Sequence, residues 1–263
     1  MQDLIAKYES VLAQYRAKVM DTMSQQDWYD YNEVLFSAHS CAIEGNSFSV
    51  NDTRELKEKG LGVIPQGKTL LEAFEILDHF EAYQYMLSIV GQPLCESNLK
   101  EMHRLCTCNT LAYRTHGEGV PGEYTTTDMA AGDTIFGDHE QLIARVPDLL
   151  SATQQAMDKA ETHPVCIAAR FHCFFEFLHP FRNGNGRIGR LMANLILLSM
   201  NHPMVIIPSE HKSEYIRALQ MYKKEHSVEF IEHFFLSVAV ARMEQELNEK
   251  ATLTARSKLR FLI

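Results

Sequence analysis

One twelve-residue run concentrates side chains able to handle phosphate: His179-Pro180-Phe181-Arg182-Asn183-Gly184-Asn185-Gly186-Arg187-Ile188-Gly189-Arg190. Pro180 disfavours helical geometry at His179, so a helix should end there. Gly184 and Gly186 let the backbone approach a ligand closely, and a helix opens just beyond. Free N–H groups at a helix N-terminus, with the helix dipole behind them, make an anion site. Arg187 and Arg190 are three residues apart and so share one face of that helix. Two guanidinium forks beside a glycine-lined nest suit a polyphosphate. A His before Pro, a Gly-Asn-Gly turn and two arginines at helical spacing are each ordinary alone. Their conjunction carries the reading.

The elements that must position this run read as helices. From Val165 to Leu178, only Arg170, His172 and Glu176 are not apolar. A helix apolar on nearly all sides belongs at the centre of a bundle, and Pro164 is placed to start it. Leu4, Tyr8, Val11, Leu12, Tyr15 and Val19 form one helical stripe, and Trp28, Tyr31, Leu35, Ala38 and Ala42 a second. The second helix should stop at Gly45. Thr69 and Glu72 form a capping-box pattern ahead of the stripe Ala73, Leu77, Phe80, Tyr83, Leu87 and Val90. Leu99, Met102 and Leu105 suggest a further helix, and two more follow near 209–224 and 228–247. The tail beyond Lys250 has no clear packing face. Tyr124–Phe136 has two β-leaning runs around Gly132-Asp133 and reads as a hairpin. No linker or repeat divides the 263 residues, so residues 1–263 form one all-α domain with one small hairpin.

The run from His179 to Arg190 resembles the signature of Fic domains, H-P-F-x-x-G-N-G-R-x-x-R, at all its fixed positions. Ala168-Ala169, His172 and Leu191 are similar to the usual flanks, and the resemblance extends from about Leu35 to Phe235. It implies a Fic-type helical bundle and protein adenylyltransferase (AMPylase) activity: AMP moves from ATP to a Ser, Thr or Tyr hydroxyl of a target protein, and pyrophosphate leaves. Carried over by position, His179 is the general base and Phe181 holds the loop in the core. Gly184, Asn185 and Gly186 cradle the phosphates, Arg187 meets the β-phosphate side, and Arg190 reaches the γ-phosphate. A His with a pKa near ~6.5 can serve as a neutral base at pH 7. Asn183 departs from the pattern. The family usually has Asp or Glu there, ligating Mg²⁺, and a neutral amide oxygen is a weak ligand for a hard cation.

Ser40-Cys41-Ala42-Ile43-Glu44-Gly45 fits the family's inhibitory pattern, S/T-x-x-x-E-G/N, within N-terminal helices at about 27–45. Independently, Glu44 ends a helix where the dipole disfavours a carboxylate, and a cationic partner would offset that. The resemblance names Arg190 as the partner. It likens the hairpin, about 123–137, to the flap on which the target protein docks as an added strand, though Thr125 stands where the flap usually has Arg. Tyr215 matches a nucleoside-contacting Tyr of some relatives, with a core Tyr nearly as fitting. His172 reads as a satisfied core histidine. Two alternatives stay open: removal of AMP from the same targets as the main activity, and a nucleotide-binding regulatory module weakened through Asn183. A homodimer also stays open.

Composition narrows the rest. The net charge of −9 opposes general nucleic-acid binding. No stretch approaches the ~20 apolar residues of a membrane span, and the N-terminus shows no secretory signal. The six cysteines include no C-x-x-C pair, which reads as reduced thiols in a cytoplasmic protein. The twelve histidines include no H-E-x-x-H spacing.

Overall fold

The computed structural model describes residues 1–62, 64–131 and 134–260, with side chains for all of these except 129–137 and 251–260. The central element is the helix that the sequence makes apolar nearly all round. It runs Pro164–Leu178, with Pro164 in its first turn and His163 as N-cap. In chain order the helices are α1 (Gln2–Lys18), α2 (Gln25–Ile43), α3 (Val50–Lys59), α4 (Leu70–Ser88), α5 (Glu96–Thr107), α6 (Leu111–Arg114), α7 (His139–Ile143), α8 (Val146–Lys159), α9 (Pro164–Leu178), α10 (Asn185–Ser199), α11 (Lys212–Glu225) and α12 (Glu229–Arg260). Helix α9 packs chiefly on α10, and also on α8, α11 and α12; α1 lies along α12 and α4 along α5. The class is all-α, as expected. No helix among the described residues is long and apolar enough to cross a membrane.

Helix α2 differs from its expected face. Tyr31 is 42% exposed, while Asn32, Glu33, Ser37 and Ser40 are buried. This helix packs against α3, α4 and α10, and its polar side chains meet partners on other elements. Asn32 accepts from Arg242, Ser37 pairs with His79, and Ser40 accepts from Arg190. Burial of polar groups is tolerated when each finds such a partner. The helix ends at Ile43, Glu44 is its C-cap, and Gly45 takes φ +101°. The expected capping box at Thr69 and Glu72 is present on α4, both bonds formed.

Two short strands, β1 (Met129–Ala131) and β2 (Thr134–Gly137), pair antiparallel with an irregularity between Met129 and Ala130. The pairing starts later than Tyr124: residues 124–128 are not strand. Thr125 instead donates its N–H to the Pro180 carbonyl at 2.8 Å, which ties this segment to the His179–Arg190 run. The expected turn at Gly132-Asp133 lies outside the described residues. The last helix runs on to Arg260 rather than stopping near 247, and the side chains of 251–260 lie outside the described residues. All six cysteines are free thiols, four of them buried.

Candidate active site

The His179–Arg190 run spans the C-terminus of α9 and the N-terminus of α10. His179 caps α9 in the left-handed region, φ 47° and ψ 54°. A non-glycine residue rarely adopts this conformation, and such strain gathers at functional sites. The loop beneath is fastened in three ways. Phe181 is fully buried and stacks on the His103 ring at 3.8 Å. The Asn185 side chain clasps the Phe181 main chain, accepting its N–H at 2.9 Å and donating to its carbonyl at 2.7 Å. His103 accepts the Gly122 N–H at Nδ1 (2.8 Å), which leaves its Nε2 proton for the Asn183 carbonyl at 3.0 Å. Gly184 then opens α10 with φ +83°. A Cβ there would sit 3.0 Å from the Thr107 methyl, so only glycine fits without displacement.

Above this floor lies a cleft of about 630 Å³, a size typical of small-molecule sites. His179, Gly184, Gly186, Arg187 and Arg190 line it, together with Glu44, Lys212 and Lys223. Arg187 is buried. One of its nitrogens, Nη2, donates to Asn183 Oδ1 at 3.0 Å, while Nε and Nη1 are buried with no hydrogen-bond partner. Unpaired buried donors are costly. Arg190 is also buried. Its Nε donates to Ser40 Oγ at 3.1 Å, and its Nη2 to the Ser40 carbonyl and to Glu44 Oε1, both at 2.8 Å. Glu44 is 41% exposed, and its carboxylate lies over the start of α10: a Cβ at Gly186 would collide with it. Thus the Glu44 carboxylate sits against the first turn of α10.

Residues 93–197 match the profile of the Fic/DOC family. Among curated relatives, the "Protein adenylyltransferase Fic" of Culex quinquefasciatus is 34% identical over 189 residues, covering 70% of this chain and 35% of that protein. The chain thus spans about a third of the length of the curated relatives it matches. Among solved structures, a Fic domain containing signaling protein from Bacteroides thetaiotaomicron is similar with a TM-score of 0.77 at 22% identity, over 95% of this chain and 97% of that one. A more distant fold neighbour, TM-score 0.54 and 14% identity over 91% of this chain and 70% of the other, is IbpAFic2 covalently tethered to Cdc42.

Charge in the cleft follows from burial and neighbours. Burial pushes the His179 imidazole down to about 4, against a smaller opposing effect from a main-chain hydrogen bond at Glu176 and the Glu44 charge. The ring is therefore neutral at pH 7. Its Nδ1 lies 3.8 Å from Glu176 Oε2. Burial, then the Glu44 charge, raises Glu176 to about 8. Burial would raise Glu44 as well, but the Arg190 charge and hydrogen bond outweigh it and hold its pKa below the usual carboxylate value.

Three residues on the cleft lining have partners that the sequence does not announce. Asn185 commits its side chain to Phe181, so only its backbone can face a phosphate. Tyr215 is 3% exposed, and its hydroxyl lies 2.6 Å from His172 Nε2 and accepts from Arg190 Nη1 at 3.4 Å. Tyr215 is thus nearly buried beside Arg190, yet it also borders the cleft. Asn183 offers its neutral Oδ1 to a guanidinium, a poor neighbour for a cation. The donor set at this position does not fit a protein-built Mg²⁺ site. His103 was not singled out in the sequence; nothing near it signals a partner some 80 residues away.

Among the described residues, two groups of side chains elsewhere come close enough to share a cation, Glu9/His163/His202 and Asp128/Asp138/His139. The first is closed by its own hydrogen bonds. Val165 N–H reaches His163 Nδ1 at 3.3 Å, so the Nε2 proton faces Glu9 at 2.9 Å. In the second, His139 Nδ1 and N–H both meet Asp128 Oδ1 at 3.0 Å.

Proposed function

We propose that this chain is a protein adenylyltransferase held in check by its own Glu44. One observation carries the reading: the Glu44 carboxylate pairs with Arg190 at 2.8 Å within the anion nest next to His179. A triphosphate needs that nest and that arginine. With Glu44 there, the terminal phosphate has no seat, and the α-phosphate is not held for in-line attack. With Glu44 withdrawn, Arg190 meets the γ-phosphate and Arg187 the β-phosphate side. The target hydroxyl oxygen then bonds to the α-phosphorus while the bond to the β-phosphate oxygen breaks. His179 Nε2 takes the hydroxyl proton, and pyrophosphate leaves with the bond pair. Such a displacement depends on positioning and charge stabilisation more than on covalent help.

The relatives called protein adenylyltransferase support this chemistry, and the tethered IbpAFic2 neighbour supports a protein as acceptor. The segment from Gly122 through β2 is our candidate for the flap that lines up the acceptor strand, because Thr125 is anchored on Pro180 beside the base. Magnesium would have to come with the nucleotide, held by phosphates and water. The buried free thiols fit a reducing, cytoplasmic setting.

A second reading has its own observation. Glu44 is ionised yet 41% exposed beside His179, a placement that could hold a water against an AMP-modified side chain and run the reaction backwards. The deciding experiment incubates the wild-type chain and Glu44→Gly with α-labelled ATP and cell lysate. Label on protein, stronger in the variant, supports transfer. Loss of label from pre-modified protein, dependent on Glu44, supports the reverse reaction. Nucleotide binding without either supports a regulatory module.

A further inference from the structure

We propose that Tyr215, backed by His172, is the positioning device that keeps Arg190 aimed into the cleft once Glu44 has left. This rests on reading the cleft as a triphosphate site.

Arg190 has five N–H donors. Four are engaged: one with Ser40 Oγ, one with the Ser40 carbonyl, one with Glu44 and one with the Tyr215 hydroxyl. Withdrawing Glu44 frees one donor beside the fifth, enough for a two-point grip on a phosphate. The remaining holders differ in where they ride. Ser40 lies on α2, the helix that ends in Glu44, so any movement of that end which withdraws Glu44 strains the Ser40 contacts too. Tyr215 lies on α11 and His172 on α9, neither of which carries Glu44.

The hydrogen bonds run in one direction. His172 is fully buried and, by burial first and the Arg190 charge second, stays neutral with its pKa lowered to about 3. Because Arg190 Nη1 already donates to the Tyr215 hydroxyl, the His172 tautomer with its proton on Nδ1 is the one that gives the hydroxyl proton an acceptor, Nε2 at 2.6 Å. The hydroxyl lone pairs are thereby left facing the Arg190 guanidinium, which lies 5.9 Å from the Tyr215 ring centre. His172 in turn is fixed by packing: its ring stacks on Tyr215 and leans on Phe235, and a Cβ at Gly189 would sit 2.5 Å from its Nδ1. The glycine between Arg187 and Arg190 is thus where α10 makes room for the imidazole.

The test measures binding of ATP, ADP and AMP by calorimetry to Glu44→Gly, and to Glu44→Gly with Tyr215→Phe added. The ratio of ADP to ATP dissociation constants isolates the γ-phosphate. Loss of one hydrogen-bond holder should shrink that ratio by about three- to tenfold and leave AMP affinity unchanged. His172→Gln in the same background should act in the same direction, and the proposal is judged on it if Tyr215→Phe does not fold. An unchanged ratio overturns the proposal. So does an equal loss for all three nucleotides, which would return Tyr215 to a nucleoside contact. Failure of the Glu44→Gly parent to bind ATP would overturn the triphosphate reading itself, and this inference with it.

Discussion

Glu44 Oε1 accepts a hydrogen bond from Arg190 Nη2 at 2.8 Å, across 146 residues of chain. Each group relieves the other. The carboxylate caps α2 at the end where the helix dipole is unfavourable, and the guanidinium is 3% exposed. Replacing Glu44 with Gly should therefore free the arginine for phosphate and raise transfer of label from α-labelled ATP by roughly 10²–10³, the rate equivalent of a few kcal/mol. Adding Arg190→Ala should remove much of that gain, because the terminal phosphate then lacks its clamp. Equal rates in wild type and Glu44→Gly would end the inhibitory reading.

His179 lines the cleft beside the residues that would hold phosphate, and its proposed part is to take a proton. His179→Ala should abolish transfer and leave ATP affinity and the melting temperature near those of the parent. A loss of less than about tenfold, against the 10²–10⁴ typical of acid–base catalysis, would remove it as the base. The pH profile offers a second check. The imidazole is lowered to about 4, chiefly by burial, so it stays neutral well below the usual histidine range. In the Glu44→Gly background, transfer should hold from pH 7 down to about 5 and fall as pH approaches 4. An acid limb centred near ~6.5 would mean that the ring is solvated in the working state.

Stability should respond to acid through different histidines. His79, His103 and His172 are fully buried, and burial lowers all three, His103 and His172 to about 3. Unfolding returns them to about 6.5, so below that pH the unfolded chain binds three protons that the folded chain does not. Their contribution is present above pH 6.5 and is lost as pH falls. Glu176 runs the other way: raised to about 8, it holds a proton in the folded state that the unfolded chain releases above its ordinary value. The histidines lowered by burial, with His179 and His202 at about 4 among them, outnumber Glu176, so between about pH 5 and 6 the unfolded chain binds more protons and stability falls as pH falls. Urea denaturation at pH 7, 6 and 5 checks the direction. A midpoint that rises toward pH 5 would contradict it.

The legible parts of this site were those set by neighbours in sequence. The apolar run before His179 specifies a central helix, Pro180 ends it, and the Ser40–Glu44 spacing puts serine and glutamate one turn apart on the helix that meets Arg190. The illegible parts depend on elements far apart in the chain. Tyr31 belongs to a regular apolar stripe yet faces out, because Ser37 and Ser40 find His79 and Arg190 on other helices and turn that side of α2 inward. Phe181 finds His103, and Tyr215 finds His172, through packing that no local pattern encodes. The strand pairing starts at Met129 rather than Tyr124, and Thr125 bonds to Pro180 rather than to a facing strand.

Asn183 supplies the last expectation. Its Oδ1 accepts from Arg187 Nη2 at 3.0 Å, and Arg187 keeps two buried nitrogens without partners. An amide here leaves the cleft without a charged cation ligand at this position, so a divalent ion must rely on the nucleotide and water. Asn183→Asp adds a formal charge, and hard cations favour charged oxygen. In the Glu44→Gly background this variant should transfer faster, and its Mg²⁺ half-saturation should fall by about tenfold, within the range by which ligand shells alter metal affinity. ATP affinity measured with and without chelator should diverge more in the variant than in the parent. Arg187 competes for the new carboxylate, and if it keeps that oxygen as an ion pair, the Mg²⁺ titration will be superimposable on the parent's. That result would mean residue 183 serves to orient Arg187 and stands outside the metal shell.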